Sequence, residues 1–339
     1  MIEIAGVSRS FGDRRVLSDV SFSVEGGRMT GFVGGNGAGK TTTMRIILGV
    51  LAADSGTVML DGRPLTAADR SRFGYMPEER GLYPKMKVLE QLIYLGRLHG
   101  MSAAEAKTSA SGLLDRLGLT ERAGDTLESL SLGNQQRAQI AAALVHEPTA
   151  LVLDEPFSGL DPLAVEVVLG VLRDYASRGV PVLFSSHQLD IVERLCDDVV
   201  VIGGGKILAS GSRESLRSKH SGRAFELELA GPSADAGWVR DQPGISVSRL
   251  DGGFARFEAD TDEAAQAVLA RAVSLGSLGG AASGTAGVGA AGSAERGAAG
   301  SGVVGSGTAG SSATGSPTTV RRFAHVTPSL AQIFKEVVQ

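Results

Sequence analysis

The sequence predicts an α/β chain: a mostly parallel sheet covered by helices as far as about residue 215, followed by a small α+β domain that carries a low-complexity insertion. Three observations carry this prediction. Through the first part, short apolar runs alternate with helical patterns, the signature of strands joined by crossover helices. After Ser212 the texture changes to half-exposed strands and a hairpin signal. From Gly276 to Ser316 it changes again, to Gly, Ala, Ser, Thr and Val with only Glu295 and Arg296 charged. A length of 339 residues suits roughly two domains.

Taken in order, Thr30-Gly31-Phe32-Val33 is an apolar strand, and a helical pattern runs through Thr43-Met44-Arg45-Ile46-Ile47-Leu48. Residues 85–148 are mainly helical in pattern and end at Pro148. Ala150-Leu151-Val152-Leu153 and Val180-Pro181-Val182-Leu183-Phe184 read as short strands buried on both faces. Between them Asp161 can cap a helix whose first position is Pro162. Val165, Val168, Leu169, Leu172 and Ala176 then share one face, and Gly179 closes the helix.

In the second part Phe225, Leu227 and Leu229 alternate with Glu226 and Glu228, as in a half-exposed strand. Ile245-Ser246-Val247 and Phe254-Ala255-Arg256-Phe257 flank Asp251-Gly252-Gly253, a hairpin signal. Helices are expected over Asp262–Val273 and Pro328–Val338. The predicted small domain therefore spans 216–275 and 317–339. The stretch 276–316 offers no side chain large enough to bury, so it reads as a flexible insertion. Its ends would wander by roughly 35 Å. A glycine every few residues, at about 1 kcal/mol each, opposes an Ala-rich helix there.

Composition bounds the function. Apolar residues at 42% and charged residues at 21% are ordinary globular usage, which excludes wholesale disorder and a fibrous repeat. A formal net charge of −4 provides no basic footprint, so no nucleic-acid partner is expected. The single cysteine, Cys196, cannot form an internal disulfide, which makes an intracellular setting the default. Met1-Ile2-Glu3-Ile4 lacks the basic and apolar regions of a signal peptide. No run reaches the ~18 apolar residues of a membrane span, so the chain is not expected to cross a membrane by itself. No metal-ligand spacing surrounds His220 or His325.

Gly34-Gly35-Asn36-Gly37-Ala38-Gly39-Lys40-Thr41 matches G-x-x-x-x-G-K-[ST] between a strand and a helix, the setting that gives this pattern its meaning. The glycines let successive backbone N–H groups point at phosphate oxygens, and the helix N-terminus adds positive potential. Lys40 would reach the β- and γ-phosphates, and the Thr41 hydroxyl a Mg²⁺ ion. Leu151-Val152-Leu153-Asp154-Glu155 places two acids at the carboxyl edge of a buried strand, where ligands of open parallel sheets gather. Asp154 suits Mg²⁺, and Glu155 can orient or deprotonate the attacking water. Taken alone, such a pair is more often a strand meeting a solvated turn; the phosphate loop reverses that weighting. His187 ends the strand Val182–Ser186, so a γ-phosphate contact suits it better than a structural role.

Between these motifs lies Leu130-Ser131-Leu132-Gly133-Asn134-Gln135-Gln136-Arg137. Ser131 is a good cap for a helix running to Val145, whose N-terminus would offer bare N–H groups to an anion. With Asp154-Glu155, Ser158-Gly159-Leu160-Asp161 and His187 in this order, the sequence resembles the ABC-type ATPases over residues 1 to about 215. The resemblance implies a P-loop NTPase fold with a helical subdomain, here about 85–148, and hydrolysis of ATP with Mg²⁺. It implies that Gly34 to Thr41, with Thr42 next in line, bind ATP, and that Ser131, Gly133 and Asn134 meet nucleotide held by a second copy. It also matches Asp161 to the D-loop, His187 to the switch histidine, and Phe11, ahead of the first strand pair, to the aromatic that stacks on adenine. A plain core role is the alternative for Phe11.

Two departures stand out. Glu78 occupies the place of the family's usual Gln beside the metal, and Leu132 and Asn134 replace a Gly and a Gln of the signature. Glu78-Glu79-Arg80-Gly81-Leu82-Tyr83-Pro84, Leu132-Gly133-Asn134 and the C-terminal Thr327-Pro328-Ser329-Leu330-Ala331-Gln332-Ile333-Phe334 resemble a bacterial sodium-exporter-like branch. The implied protein is the ATP-hydrolysing subunit of a transporter, with export favoured. It would pair with itself or a paralogous subunit and act on a separate membrane permease from the cytoplasmic face, through the segment around Glu78 to Pro84. A soluble ribosome-directed ATPase would join two cassettes by a charged linker. A DNA-maintenance ATPase would insert a coiled coil between Thr41 and Ser131, and a pure nucleotide sensor has no need of Glu155. None of these fits as well.

Overall fold

The computed structural model describes residues 1–79, 81–220, 222–231, 234–278, 318–326 and 328–338. The chain divides into two compact units, Met1–His220 with Pro328–Gln339, and Ser221–Thr327. The first unit opens with β1 (Ile2–Phe11), β2 (Arg14–Val24), β3 (Met29–Val33), α1 (Lys40–Ile47), β4 (Ser55–Leu60), β5 (Arg63–Pro64), α2 (Ala67–Arg70) and β6 (Phe73–Met76). The helical section follows as α3 (Val88–Leu98), α4 (Ala103–Arg116) and α5 (Leu132–Leu144). Next come β7 (Ala150–Leu153), α6 (Pro162–Ser177), β8 (Val182–Ser186), α7 (Leu189–Leu195), β9 (Asp198–Gly203), β10 (Lys206–Ser212) and α8 (Arg213–His220).

A six-stranded sheet in the order β10-β9-β3-β8-β7-β6 is parallel except for β10, and an antiparallel sheet has the order β2-β1-β4-β5. Every residue of β3, β7 and β8 is buried, as parallel strands covered on both faces require. The two-residue period of these strands divides the interior. Leu151, Leu153, Val182 and Phe184 face a core shared with α4, α5 and α6, whereas Ala150, Val152 and Leu183 face one shared with α1 and the antiparallel sheet.

The helix caps follow the local chemistry. The Asp161 carboxylate accepts the Ala164 amide at 2.8 Å with Pro162 at the first position, and the predicted apolar face of α6 is buried. Ser131 caps α5, accepting the Asn134 amide at 3.4 Å, and the helix ends against Val145.

The second unit contains β11 (Ala224–Ala230), β12 (Ile245–Asp251), β13 (Phe254–Ala259), α9 (Asp262–Leu278) and β14 (Thr319–His325). Its antiparallel sheet has the order β12-β13-β11-β14 and, with α9, buries Leu227, Phe257, Val268 and Ala272. α10 (Leu330–Val338) then belongs to the first unit.

Several expectations are corrected here. The first unit continues to His220, because α8 extends beyond the expected limit near 215. The terminal helix, expected in the small domain, buries Leu330 and Ile333 in the core of the first unit. α9 runs on to Leu278 instead of stopping at Val273, and β14 was not foreseen. Phe11 ends β1, opposite Arg14 across the β1–β2 turn, instead of preceding the strand pair. It is 48% exposed, which removes the core alternative. Most of the expected insertion falls on residues 279–317, outside the described residues.

Candidate functional site

Four neighbouring strands of the parallel sheet end at one edge, and each delivers a site residue there. β3 runs into the glycine loop, β8 into His187, β7 into Asp154 and Glu155, and β6 through Pro77 into Glu78. A cleft of about 540 Å³ at this edge is lined by Asn36, Gly37, Gly39, Lys40, Thr41, Thr42, Glu78, Asp154, Glu155 and His187, together with Arg14 and Val16.

The loop is shaped by backbone that only glycine tolerates well. Gly39 caps α1 with φ 111°, and a Cβ there would lie 2.5 Å from Leu17 Cδ2. At Gly34 a Cβ would lie 2.5 Å from the Ile202 carbonyl oxygen. The start of α1 has no side-chain cap, and Gly39, Lys40, Thr41 and Thr42 line the cleft, so the helix N-terminus there suits an anion. Lys40 Nζ donates to the carbonyls of Gly34 at 2.8 Å and Gly35 at 3.3 Å, which holds the ammonium over the loop.

The acids are fixed from several directions. Thr41 Oγ1 donates to Asp154 Oδ2 at 2.8 Å, joining the start of α1 to the end of β7. Asp154 is 1% exposed, and its other oxygen accepts the Ser185 hydroxyl at 2.5 Å. The same hydroxyl accepts the Glu155 amide at 2.9 Å. Glu155 adopts φ 52°, a left-handed conformation rarely used by a non-glycine residue. His187 Nδ1 lies 2.9 Å from Glu155 Oε1. An ionised carboxylate only accepts, so Nδ1 carries the proton in this pair and Nε2 is left for a further contact. Burial, and then the Asp154 charge, hold the nearby Tyr75 phenol above its usual value. Burial likewise raises the Cys196 thiol, which makes it a core group and no nucleophile.

The oxygen set of Thr41, Asp154 and Glu78 suits a hard divalent cation, and the loop that a Cβ would fill suits phosphate. Ser131, Gly133, Asn134 and Asp161 do not line the cleft. Gly133 faces the backbone of Gly159, where a Cβ would stand 3.4 Å from its carbonyl oxygen, and the Asn134 side-chain oxygen accepts from Arg137. Phe11 is also absent from the lining; the guanidinium carbon of Arg9 sits 5.0 Å from its ring centroid. Sequence reasoning missed Ser185 and Arg14. The signal for Ser185 was a hydroxyl pair, Ser185-Ser186, closing an otherwise apolar strand at the ligand-bearing edge.

The family profile described as ABC transporter matches residues 17–158. YhaQ of Bacillus subtilis, an uncharacterized ABC transporter ATP-binding protein, is 42% identical over 217 residues, covering 64% of this chain and 73% of that protein. The Nod factor export ATP-binding protein I of Paraburkholderia xenovorans is 37% identical over 253 residues, covering 74% of this chain and 82% of its own. A solved structure of an ATP-binding subunit of an ABC transporter aligns with TM-score 0.60 at 33% identity, covering 65% of this chain and 92% of that one.

Proposed function

The chain belongs to the ABC transporter ATP-binding proteins, and from that premise we propose that it is the energy-coupling subunit of an exporter, closed by ATP against a second copy or a paralogous subunit. It is an ATPase: ATP and water become ADP and phosphate. The observation that carries the reading is the meeting of the glycine loop, Asp154, Glu155, His187 and Glu78 at one sheet edge.

The loop amides and Lys40 hold the phosphates and draw charge from the γ-phosphoryl oxygens. Thr41, Asp154 and Glu78 are the residues that would hold Mg²⁺, which supplies neutralisation of the phosphate charge when bound. Glu155 accepts a proton from the attacking water. The water oxygen bonds to the γ-phosphorus as the bond to the bridging oxygen of ADP breaks. His187 steadies Glu155 through Nδ1 and offers Nε2 to the γ-phosphate. Ser131, Gly133 and Asn134 lie on another part of the chain, and their assigned partner is the nucleotide of the opposing subunit; Asp161 belongs to the same interface. Phe11 is proposed as the adenine platform.

Among the described residues no helix is long and apolar enough to cross a membrane, so transport needs a separate permease in this reading. The subunit would sit at the cytoplasmic face, engaging that permease through the segment around Glu78 to Pro84. Export is favoured by the likeness to a Nod factor export protein.

Glu155→Gln tests the chemistry. It should bind ATP and lose at least a hundredfold in turnover. Retained turnover would remove Glu155 from its role. Tagged Glu155→Gln protein purified with ATP from detergent-solubilised native membranes should bring a stoichiometric polytopic protein with it. Recovery of ribosomal proteins, or of a soluble homodimer alone, would overturn the transport assignment.

A further inference from the structure

Two glutamines of α5 tie the two acidic loops of the site to one helix. Gln136 and Gln139 are three residues apart and so share a helix face. Gln136 Nε2 donates to the carbonyls of Glu155 at 2.9 Å and Pro156 at 3.1 Å. Gln139 Nε2 donates to the carbonyls of Pro77 at 2.8 Å and Glu79 at 3.2 Å, the residues on either side of Glu78. A side-chain amide carries two N–H groups, and in both glutamines the amide nitrogen serves two backbone carbonyls. Gln139 is 4% exposed, a position where a polar side chain survives only with its hydrogen bonds made.

Gln136 completes a second constraint. The Glu155 amide is held by Ser185 and its carbonyl by Gln136, so both ends of this left-handed residue are fixed. A backbone conformation of that kind persists when its surroundings over-determine it.

We infer that Gln136 and Gln139 are positioning residues for ATP hydrolysis, a two-point clamp by which α5 keeps the Glu155 turn and the Glu78 loop in one register. The inference rests on the roles given above to Glu155 and Glu78. Its mechanical consequence is direct. A displacement of residues 77–79 pulls on Gln139, and a helix transmits that pull one turn along to Gln136 and the carbonyl of Glu155. Neither glutamine touches a reacting atom; each acts through the acid whose backbone it holds.

Steady-state ATPase kinetics on the full chain test the clamp, with Glu155→Gln as the control for the underlying reading. Methionine keeps the length and volume of glutamine and removes the donors. Gln136→Met and Gln139→Met should each lower kcat about tenfold with KM for ATP changed by less than about twofold, because small displacements of a catalytic group have effects of that size. In a Glu78→Ala background, Gln139→Met should lower kcat no further. The double substitution of both glutamines should lose no more than the larger single loss. Unchanged kcat in both single variants overturns the clamp, as do losses that multiply in the Glu78→Ala or double variant. Should Gln139→Met fail to fold, the split between kcat and KM in Gln136→Met, a less buried site, decides the matter. Wild-type turnover in Glu155→Gln would sink the underlying reading, and the clamp with it.

Discussion

The Ser185 hydroxyl faces both acids of the site, donating to Asp154 and accepting the Glu155 amide. Ser185→Ala leaves that amide unsatisfied and one Asp154 oxygen short of a donor, in a position with no exposure. We expect kcat to fall about tenfold with ATP affinity nearly unchanged, read from kcat and KM in parallel. Asp154 and Glu155 stand out in the sequence because they close a strand with a strong apolar signal, whereas Glu78 stands out only through the family resemblance, in the place of a usual Gln. Ser185 and the α5 glutamines do not stand out, because their partners are backbone atoms of other elements, which no spacing encodes. The His99–His146 pair was equally silent. Their rings stack with centroids 3.7 Å apart, and His146 Nε2 meets the Phe73 carbonyl oxygen at 3.2 Å. Burial, and then the neighbouring His99, depress His146 from 6.5 to about 4. The unfolded chain therefore binds this proton first, so the stability contributed by neutral His146 is complete above about pH 6.5 and is lost as pH falls towards about 4. After allowance for partial exposure the loss is on the order of 1–2 kcal/mol. Urea midpoints measured between pH 7.5 and 4 should show this decline in the wild type and a shallower one in His146→Phe.

Among the elements, α6 was read nearly residue by residue, since Asp161-Pro162 starts it, Gly179 ends it and its apolar stripe has one period. The sequence of α10 marks a helix but not its unit, because an amphipathic stripe says that a face is buried and nothing about what covers it, and the helix belongs to the first unit. What covers it is α7, α8 and β10. Glu193 accepts the Leu330 amide at 3.3 Å and the Arg217 guanidinium, while its own carbonyl accepts from Arg213 at 2.8 Å. Leu330 and Ile333 are 3% and 1% exposed. Ile333→Ala should therefore destabilise the first unit by about 2–4 kcal/mol, against less than about 0.5 kcal/mol for the exposed Lys335→Ala. Denaturant unfolding followed by a first-unit probe would measure both. If the two variants unfold alike, α10 is not part of that core. β14 escaped notice for a different reason. Its pairing with β11 shifts register between Glu228 and Leu229, so Val320 and Phe323 contact the same core at odd spacing and the two-residue alternation vanishes from the sequence.

For the whole molecule, the expected site residues divide between the cleft and another part of the first unit. The glycine loop, the acids and His187 line the cleft, while Ser131, Gly133 and Asn134 stand elsewhere on the surface of the same unit. Leu132, beside them in the chain, is 60% exposed, so an apolar side chain adjoins this second patch. A helix N-terminus capped by Ser131 attracts anions, and the reading above supplies one in the nucleotide of an opposing subunit. This makes a test by complementation. Lys40→Ala should disable the cleft of its own chain, and Ser131→Arg should fill the patch that serves the other chain's cleft. Each variant alone is expected to be nearly inactive, since every symmetric pair then holds two defective sites. In a mixed pair the two lesions fall on the same composite site. The remaining site combines Lys40 of one chain with Ser131 of the other, both intact. Equal mixing puts half of the pairs in this state, so activity should return to roughly a quarter of wild type if the two sites work independently. Cooperative sites would return less, but still more than either variant alone. A mixture no more active than its components, from variants that still bind each other by size-exclusion chromatography, would overturn the reading of two independently working composite sites.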